Sequence, residues 1–319
     1  MNAVSSTLHA SPLSMLLGEG LLIESDVNGL YGRGGAFEDV ASRVGALLVR
    51  AAAERPGERP GERPEAEVMR FPPGMGRAAL ERSGYLRNFP HLAGAVRCFC
   101  GDESAHRALV RSCEAGEDWG AALGATDTVL APAACYPVYP ALARRGAVPD
   151  GGWLVDVAGW CFRHEPSREA TRLQWFRMQE FVRVGTEAQV LAFREDWMER
   201  ATLIAAALGL PHALETANDP FFGRAGRLRA DGQREQGLKF ELLVPVNPGA
   251  PPTACGSFNH HGEHFGRTWD LYLADGAPAH TSCVGFGLER LAVALFRHHG
   301  PRPADWPEGV RTALWQAPC

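Results

Sequence analysis

No apolar run in this sequence approaches the ~18 residues that a membrane-spanning helix requires; the best, around Ala205 to Leu210, is short and interrupted. No basic residue precedes the small apolar stretch within Met1 to Leu17, so a secretory leader is not expected. The 8 cysteines include no Cys-x-x-Cys pair, which excludes a disulfide framework and fits a reducing, cytoplasmic setting. Neither sign of charge dominates: 32 basic and 37 acidic residues give a net charge of −5, which argues against a chain that simply coats nucleic acid. Long-period repeats, sustained heptads and a strand–helix–strand alternation are missing too, so solenoids, coiled coils and parallel α/β folds drop out.

What is present is ordinary globular material. The chain has 319 residues, 45% of them apolar and 22% charged, enough to bury a sizeable core in one large or two ordinary domains. Glu54-Arg55-Pro56-Gly57 recurs at Glu58 to Gly61 and again at Glu62-Arg63-Pro64. Proline every fourth residue blocks both helix and ladder, so 54–67 reads as an exposed loop. It lies within an N-terminal extension (1–70) expected to pack on a core domain (71–319).

Helical spacing marks Phe37 to Ala53, with Val40, Val44, Leu47 and Leu48 on one side, and Gly74 to Arg82. Trp153 to Gly185 reads as a β-hairpin with a long charged loop around Pro166 to Glu169. Thr186 and Gln189 form a capping box for a helix that Gly209 and Pro211 end. Asp219-Pro220 looks like another helix start. Strands are expected at Leu238 to Val246, around Ser257, and at Thr281 to Gly285. The last of these runs into a helix whose Leu288, Leu291, Ala292, Leu295 and Phe296 make one apolar stripe. The fold class is therefore α+β, an antiparallel sheet flanked by helices.

Two segments carry the chemistry. One is Cys161-Phe162-Arg163-His164-Glu165, the charged loop, then Arg172 to Phe181; the other is Gly285-Phe286-Gly287-Leu288-Glu289-Arg290. Together they resemble motifs 2 and 3 of class II aminoacyl-tRNA synthetases, over roughly residues 70–300. Gly84 to Pro90 looks like motif 1, a helix and a strand ending in proline, which in that family builds a dimer interface. Lys239-Phe240-Glu241 is similar to a strand between motifs 2 and 3 of seryl enzymes. The resemblance implies a class II synthetase-like catalytic domain, ATP with Mg²⁺ as co-substrate, and an aminoacyl-adenylate intermediate.

Physical reasoning leads to the same residues. Attack of a carboxylate on the α-phosphate of ATP is a matter of positioning and charge neutralisation. Arg163 is expected to grip α-phosphate and carboxylate together. Glu165 would accept from the adenine amino group and Phe176 would stack on the base, with Arg172, Leu173 and Lys239 completing the ATP site. In a strand, Arg172, Phe176, Met178 and Glu180 share a face. Arg290, in the first turn of its helix, adds its charge to the positive helix end. Ser257 and Asn259 match a substrate-binding Ser-x-Asn of seryl enzymes; Thr253 stands where those enzymes carry a metal-binding Glu, which leaves Glu241 and Glu263 as Mg²⁺ candidates.

Atypical seryl-tRNA synthetases, and the amino acid:carrier-protein ligases similar to their catalytic domain, hold zinc with Cys, Glu and Cys. The resemblance implies one Zn²⁺ per subunit on Cys135, Glu180 and Cys283, although separations of 45 and 103 residues carry no zinc-finger spacing. An open fourth position would bind the amine of a small amino acid. Glycine, without a side chain to grip, is favoured, with alanine as the alternative, because a small pocket rejects larger groups by shape. Cys98, Cys100, Cys113, Cys161, Cys255 and Cys319 read as buried packing residues. Asn259-His260-His261-Gly262-Glu263-His264 has the composition of a second metal cluster, while its flanking glycines favour a strand whose histidines are structural or line the cavity.

Only 29 residues follow Arg290, too few for an anticodon-binding domain. Of the families it resembles, the expected one is therefore the amino acid:[carrier protein] ligases; that resemblance implies transfer to a phosphopantetheine thiol with no tRNA charging, and the motif 1 resemblance implies a homodimer. Arg224, Arg227, Arg229 and Arg234 would face the acidic carrier protein. The competing readings are a compact seryl-type tRNA synthetase and a catalytically silent regulatory paralogue. Retention of Arg163, Glu165, Phe176 and Arg290 argues against the latter.

Overall fold

The computed structural model describes residues 11–53, 65–223, 233–234 and 236–315. Its centre is a seven-stranded sheet, whose strands are numbered here in chain order: β1 (Glu67–Arg70), β2 (Trp153–Phe162), β3 (Trp175–Gly185), β4 (Ala213–Thr216), β5 (Lys239–Val244), β6 (Thr253–His260) and β7 (His280–Gly287). Their spatial order is β1-β2-β3-β7-β6-β5-β4. Every neighbouring pair is antiparallel except β1 with β2. A three-stranded sheet of Gly74–Gly76, Gly124–Leu130 and Ala95–Cys98 sits apart.

Side-chain alternation makes the main sheet two-faced. Phe181, Leu242, Phe258, Val284 and Phe286 point to one face and are fully buried or nearly so. On this face lie α2 (Glu187–Ala207) and α3 (Leu288–His299), and α1 (Gly35–Ala53) packs on α3. Thr186 caps α2 as the sequence predicts: the Gln189 amide donates to Thr186 Oγ1 (3.3 Å) while Gln189 Oε1 accepts from the Thr186 amide (2.9 Å). Gly209 ends the run at φ +61°, a conformation glycine adopts without strain. The α3 stripe is buried throughout. The residues alternating with these aromatics face the other side, where the polar groups and a second core cluster collect.

Several boundaries differ from expectation. Gly74–Gly76 is strand rather than helix, and the helix begins at Arg77. Gly84 to Pro90 contains a short helix, Tyr85–Asn88, followed by a 3₁₀ turn, and no strand. The succession of helix, strand and proline lies earlier instead, in α1, β1 and Pro72-Pro73. After Asp219-Pro220 the described chain stays irregular through 222, and Gly223 is the first helical residue. Most of the 54–67 loop, 54–64, is outside the described residues, and Glu67 already belongs to β1. Cys98, Cys100 and Cys113 are exposed, contrary to the packing role expected, because the small sheet and its helix bury little; Cys161 and Cys255 are buried, and Cys319 is outside the described residues. No helix among the described residues is long and apolar enough to cross a membrane.

Phe37 of α1 is fully buried and stacks on Phe296 of α3, with ring centroids 5.8 Å apart. Phe37→Ala should therefore lower the unfolding free energy by about 3–5 kcal/mol. Urea denaturation should show this as a lower midpoint in a single transition, whereas an unchanged midpoint would detach α1 from the core.

Candidate active site

The polar face of the sheet is set by register. Glu180 of β3 lies opposite Gly285 of β7, which pairs with Ser257 of β6, which pairs with Glu241 of β5. One row along, Val182, Cys283, Asn259 and Lys239 are paired in the same way. Period two puts both rows on one face. All of them but Val182 floor a cavity of about 970 Å³. All twelve residues selected from the sequence line it: Cys135, Arg163, Glu165, Arg172, Leu173, Phe176, Glu180, Lys239, Ser257, Asn259, Cys283 and Arg290.

Arg163 directly follows β2, and its amide extends the hairpin ladder to Gln174 O (3.0 Å). Its Nε donates to Pro132 O (3.0 Å), and its guanidinium lies over the Phe176 ring at 5.3 Å. Its two terminal nitrogens hydrogen-bond no described residue. Arg290, in the first turn of α3, gives Nε to Thr171 O and one terminal nitrogen to Ala254 O, both at 2.9 Å. Arg172 does not join Phe176, Met178 and Glu180 on a strand face, because β3 begins only at Trp175. It is exposed in the loop and reaches Glu165 (3.4 Å) and Glu169 (3.2 Å).

Cys135, Glu180 and Cys283 converge although the chain separates them widely. Their ligand atoms all lie within 4.8 Å of one another, and all three residues are buried. Cys283 Sγ is 3.2 Å from Glu180 Oε1, and the Cys135 amide donates to Glu180 Oε2 (2.6 Å). A Cβ on Gly285 would stand 2.9 Å from Glu180 Oε1, so glycine there leaves room for the carboxylate. Burial pushes the Glu180 carboxyl up. Contact with Cys135, then burial, raises Cys283 well above a free thiol. The hydrogen bond with Cys283 pulls Cys135 down, but burial and the Glu180 charge outweigh it. Two sulfurs and a carboxylate that resist ionisation alone are the donor set a divalent zinc ion would ionise and hold.

Asp219 carries a role that the sequence did not disclose. Lys239 Nζ lies 2.7 Å from Asp219 and 2.9 Å from Glu241, and Gln233 bridges to the Asp219 amide and carboxylate. Only folding brings Asp219 to Lys239, and the Asp-Pro pair looked like a helix cap. Glu289 was also missed. It is 1% exposed and binds the Arg177 amide (2.6 Å) and Nε (2.8 Å), while Arg177 also meets Glu38 of α1 (2.6 Å). His260, His261 and His264 line the cavity. Burial pushes His261 down to about 3, so it accepts or donates as a neutral ring beside Thr281 Oγ1 (3.1 Å). Tyr85 Oη, in the cavity wall, is buried with no hydrogen-bond partner among the described residues. Glu241 lines the cavity; Glu263 stands outside it and pairs with Arg267. Of the arginine cluster, Arg234 is exposed and donates to Asn218 Oδ1 (2.9 Å), whereas Arg224, Arg227 and Arg229 lie outside the described residues.

Comparison with known proteins decides the family. Amino acid–[acyl-carrier-protein] ligase 2 of Bradyrhizobium diazoefficiens is 51% identical over 312 residues, 98% of this chain and 90% of that protein. This chain is a member of the amino acid–[acyl-carrier-protein] ligase family. Ligase 1 of the same organism is 49% identical over 91% of the chain and 86% of its own length. The type-2 serine–tRNA ligase of Methanopyrus kandleri is 31% identical over 57% of the chain, a match that spans 37% of that protein. No protein-family model matches. Among solved structures, the M. kandleri SerRS in complex with A. aeolicus tRNASec superposes with TM-score 0.79 at 22% identity, over 95% of this chain and 60% of that one. The cytoplasmic serine–tRNA ligase of Naegleria fowleri, in complex with AMP, superposes with TM-score 0.69 at 12% identity, over 96% of this chain and 59% of its own. The fold of this ligase is accordingly that of class II aminoacyl-tRNA synthetase catalytic domains, as the motifs implied.

Burial alone would raise Asp219, but Lys239 and the Gln233 amide hold it below its ordinary 3.8. A carboxylate depressed on folding stabilises the protein above its unfolded pKa and loses that contribution as pH falls through the folded value. At pH 7 Asp219→Asn should cost about 1–2 kcal/mol. The gap between variant and wild-type unfolding curves should close in acid, below pH 3.8; a gap independent of pH would assign the loss to packing.

Proposed function

We propose that this ligase activates a small amino acid, glycine before alanine, as its adenylate and passes it to the phosphopantetheine thiol of an acidic carrier protein. The observation that carries this reading is the gathering of Arg163, Arg290, Phe176 and the Cys135–Glu180–Cys283 set around one cavity. A carboxylate oxygen of the amino acid attacks the α-phosphorus of ATP, the bond to the β-phosphate bridge breaks, and pyrophosphate leaves. The thiolate sulfur then attacks the acyl carbon, and AMP departs. A thiolate is nucleophilic enough toward this mixed anhydride to need no further catalytic domain.

In the first step the terminal nitrogens of Arg163 bridge carboxylate and α-phosphate, offsetting their repulsion. Phe176 and Glu165 receive the adenine, with Arg172 and Leu173 at its side. Arg290, at the positive end of α3, takes the terminal phosphates. Lys239, its charge balanced by Asp219 and Glu241, serves the nucleotide from the cavity floor, and Mg²⁺ accompanies it. Ser257 and Asn259 reach toward the amino acid. Cys135, Glu180 and Cys283 would hold Zn²⁺, one per subunit of a homodimer, and zinc supplies an inner-sphere site for the neutral substrate amine. The exposed Arg234 and its neighbours favour encounter with an acidic carrier.

ATP–pyrophosphate exchange, run with each amino acid in turn, tests the first step; glycine or alanine is expected to support it. Offering the loaded enzyme a phosphopantetheinylated carrier protein and a tRNA in parallel tests the second. Exchange with serine and charging of tRNA would establish a seryl-type synthetase, and exchange with no amino acid a silent paralogue.

Cys135→Ala and Cys283→Ala should each bring zinc content well below one per chain and reduce exchange by about tenfold or more. Zinc counted by atomic emission, unchanged in either variant, removes that residue from the site.

A further inference from the structure

A second set of metal-ligating side chains lies outside the cysteine site, where β6, β7 and α2 meet. The register of the sheet builds it. His260, the last residue of β6, pairs with Ser282, so His280, two residues earlier on β7, is its diagonal neighbour on the same face. Gly185, the last residue of β3, pairs with His280, and α2 starts two residues later with Glu187. The capping box fixes the first turn of α2 and so brings the Glu187 carboxylate to the two imidazoles.

The distances suit an ion. His260 Nε2 and His280 Nδ1 are 3.4 Å apart, with rings stacked at a 17° interplanar angle. Glu187 Oε1 is 4.0 Å from His280 Nδ1, and the three ligand atoms all lie within 4.8 Å of one another. A tetrahedral ion with bonds of about 2.0–2.1 Å separates its ligand atoms by roughly 3.4 Å. The imidazoles already stand at that spacing, and the Glu187 side chain, 62% exposed, is free to close the remaining gap. On its other side, His280 Nε2 faces Glu263 Oε1 at 4.0 Å, the position from which a carboxylate orients a ligating imidazole.

The surrounding charges permit a cation. Glu187 and Glu263 are acidic, with Arg267 bound to Glu263. Arg194 is the nearby base, committed to Gly237 O (2.8 Å) and to the Phe240 ring. Burial, then Arg194 and His280, lowers the proton affinity of His260, which favours the neutral ring a metal requires.

We propose that Glu187, His260 and His280 form a second divalent metal site, of the Zn²⁺, Co²⁺ or Ni²⁺ class, with Glu263 positioning His280. Two imidazoles and one carboxylate select these ions over Mg²⁺ and Ca²⁺. The site is open to solvent at Glu187, so its ion exchanges with the medium. His260 is also among the residues lining the cavity, although its side chain meets His280 on the α2 side of the sheet.

Cobalt distinguishes the two sites, because only cysteine ligands give thiolate-to-cobalt charge-transfer absorption. The untagged full chain, equilibrated with Co²⁺, is expected to bind one equivalent that lacks this absorption. His280→Ala and Glu187→Gln should each abolish that equivalent and leave any thiolate band unchanged, and Glu263→Gln should weaken it about tenfold. Glu187 is exposed, so its conservative variant keeps the fold. If wild type binds no cobalt outside thiolate ligation, or if either variant retains that equivalent, the proposal is overturned.

Discussion

The pairing of β3 with β7 is the constraint on which the site depends. Opposing Glu180 to Gly285 brings a carboxylate beside Cys283, and glycine on the partner strand leaves the space it occupies. Slipping β3 by one residue against β7 would turn Glu180 into the apolar face and bring Phe181 toward the cavity. Burial of Phe181, Val284, Phe258 and Phe286 against the helices therefore does more than stabilise the sheet. It locks the alternation that presents the polar rows. Hydrophobic packing on one face fixes the chemistry of the other.

A second link runs through charge. Arg177 of β3 binds Glu289 at the start of α3 and Glu38 of α1, while Arg33 approaches Glu289 (3.4 Å) and covers Trp160 from one side. Arg177 also lies over the Trp160 ring. Glu289 adjoins Arg290, so this network ties the position of Arg290 to both the hairpin and α1. A buried carboxylate between two guanidiniums holds its geometry firmly, since losing one partner leaves an uncompensated charge. The residues before β1 thus share in shaping the cavity through α1 and Arg33.

The twelve residues chosen from the sequence all reach one cavity, yet they were legible for different reasons. Arg163, Glu165, Phe176 and Arg290 stood in local motifs, where strand alternation and the first turn of a helix fix direction from a few neighbours. Cys135 had no such context: nothing within 45 residues marks it as a companion of Glu180, and only the family resemblance named it. Arg172 was assigned to a strand that begins three residues later, because the charged loop continues further than its composition disclosed. The proline that follows a helix and a strand was assigned to Gly84–Pro90 and lies instead after β1, since a local pattern cannot tell which of two candidate segments pairs with the sheet. Asp219 read only as part of a helix start, and Glu187 showed nothing in isolation.

By itself the sequence determined the period-two and period-3.6 patterns, the Thr186 cap, the apolar stripe of α3 and the class of fold, because these follow from interactions between residues a few positions apart. Tertiary structure alone decided which carboxylate meets which cation or imidazole: Asp219 with Lys239, Glu289 with Arg177, Glu187 with His280. Those partners are set by strand register and by the angle at which elements pack, and both are properties of the whole sheet that no short stretch of chain contains.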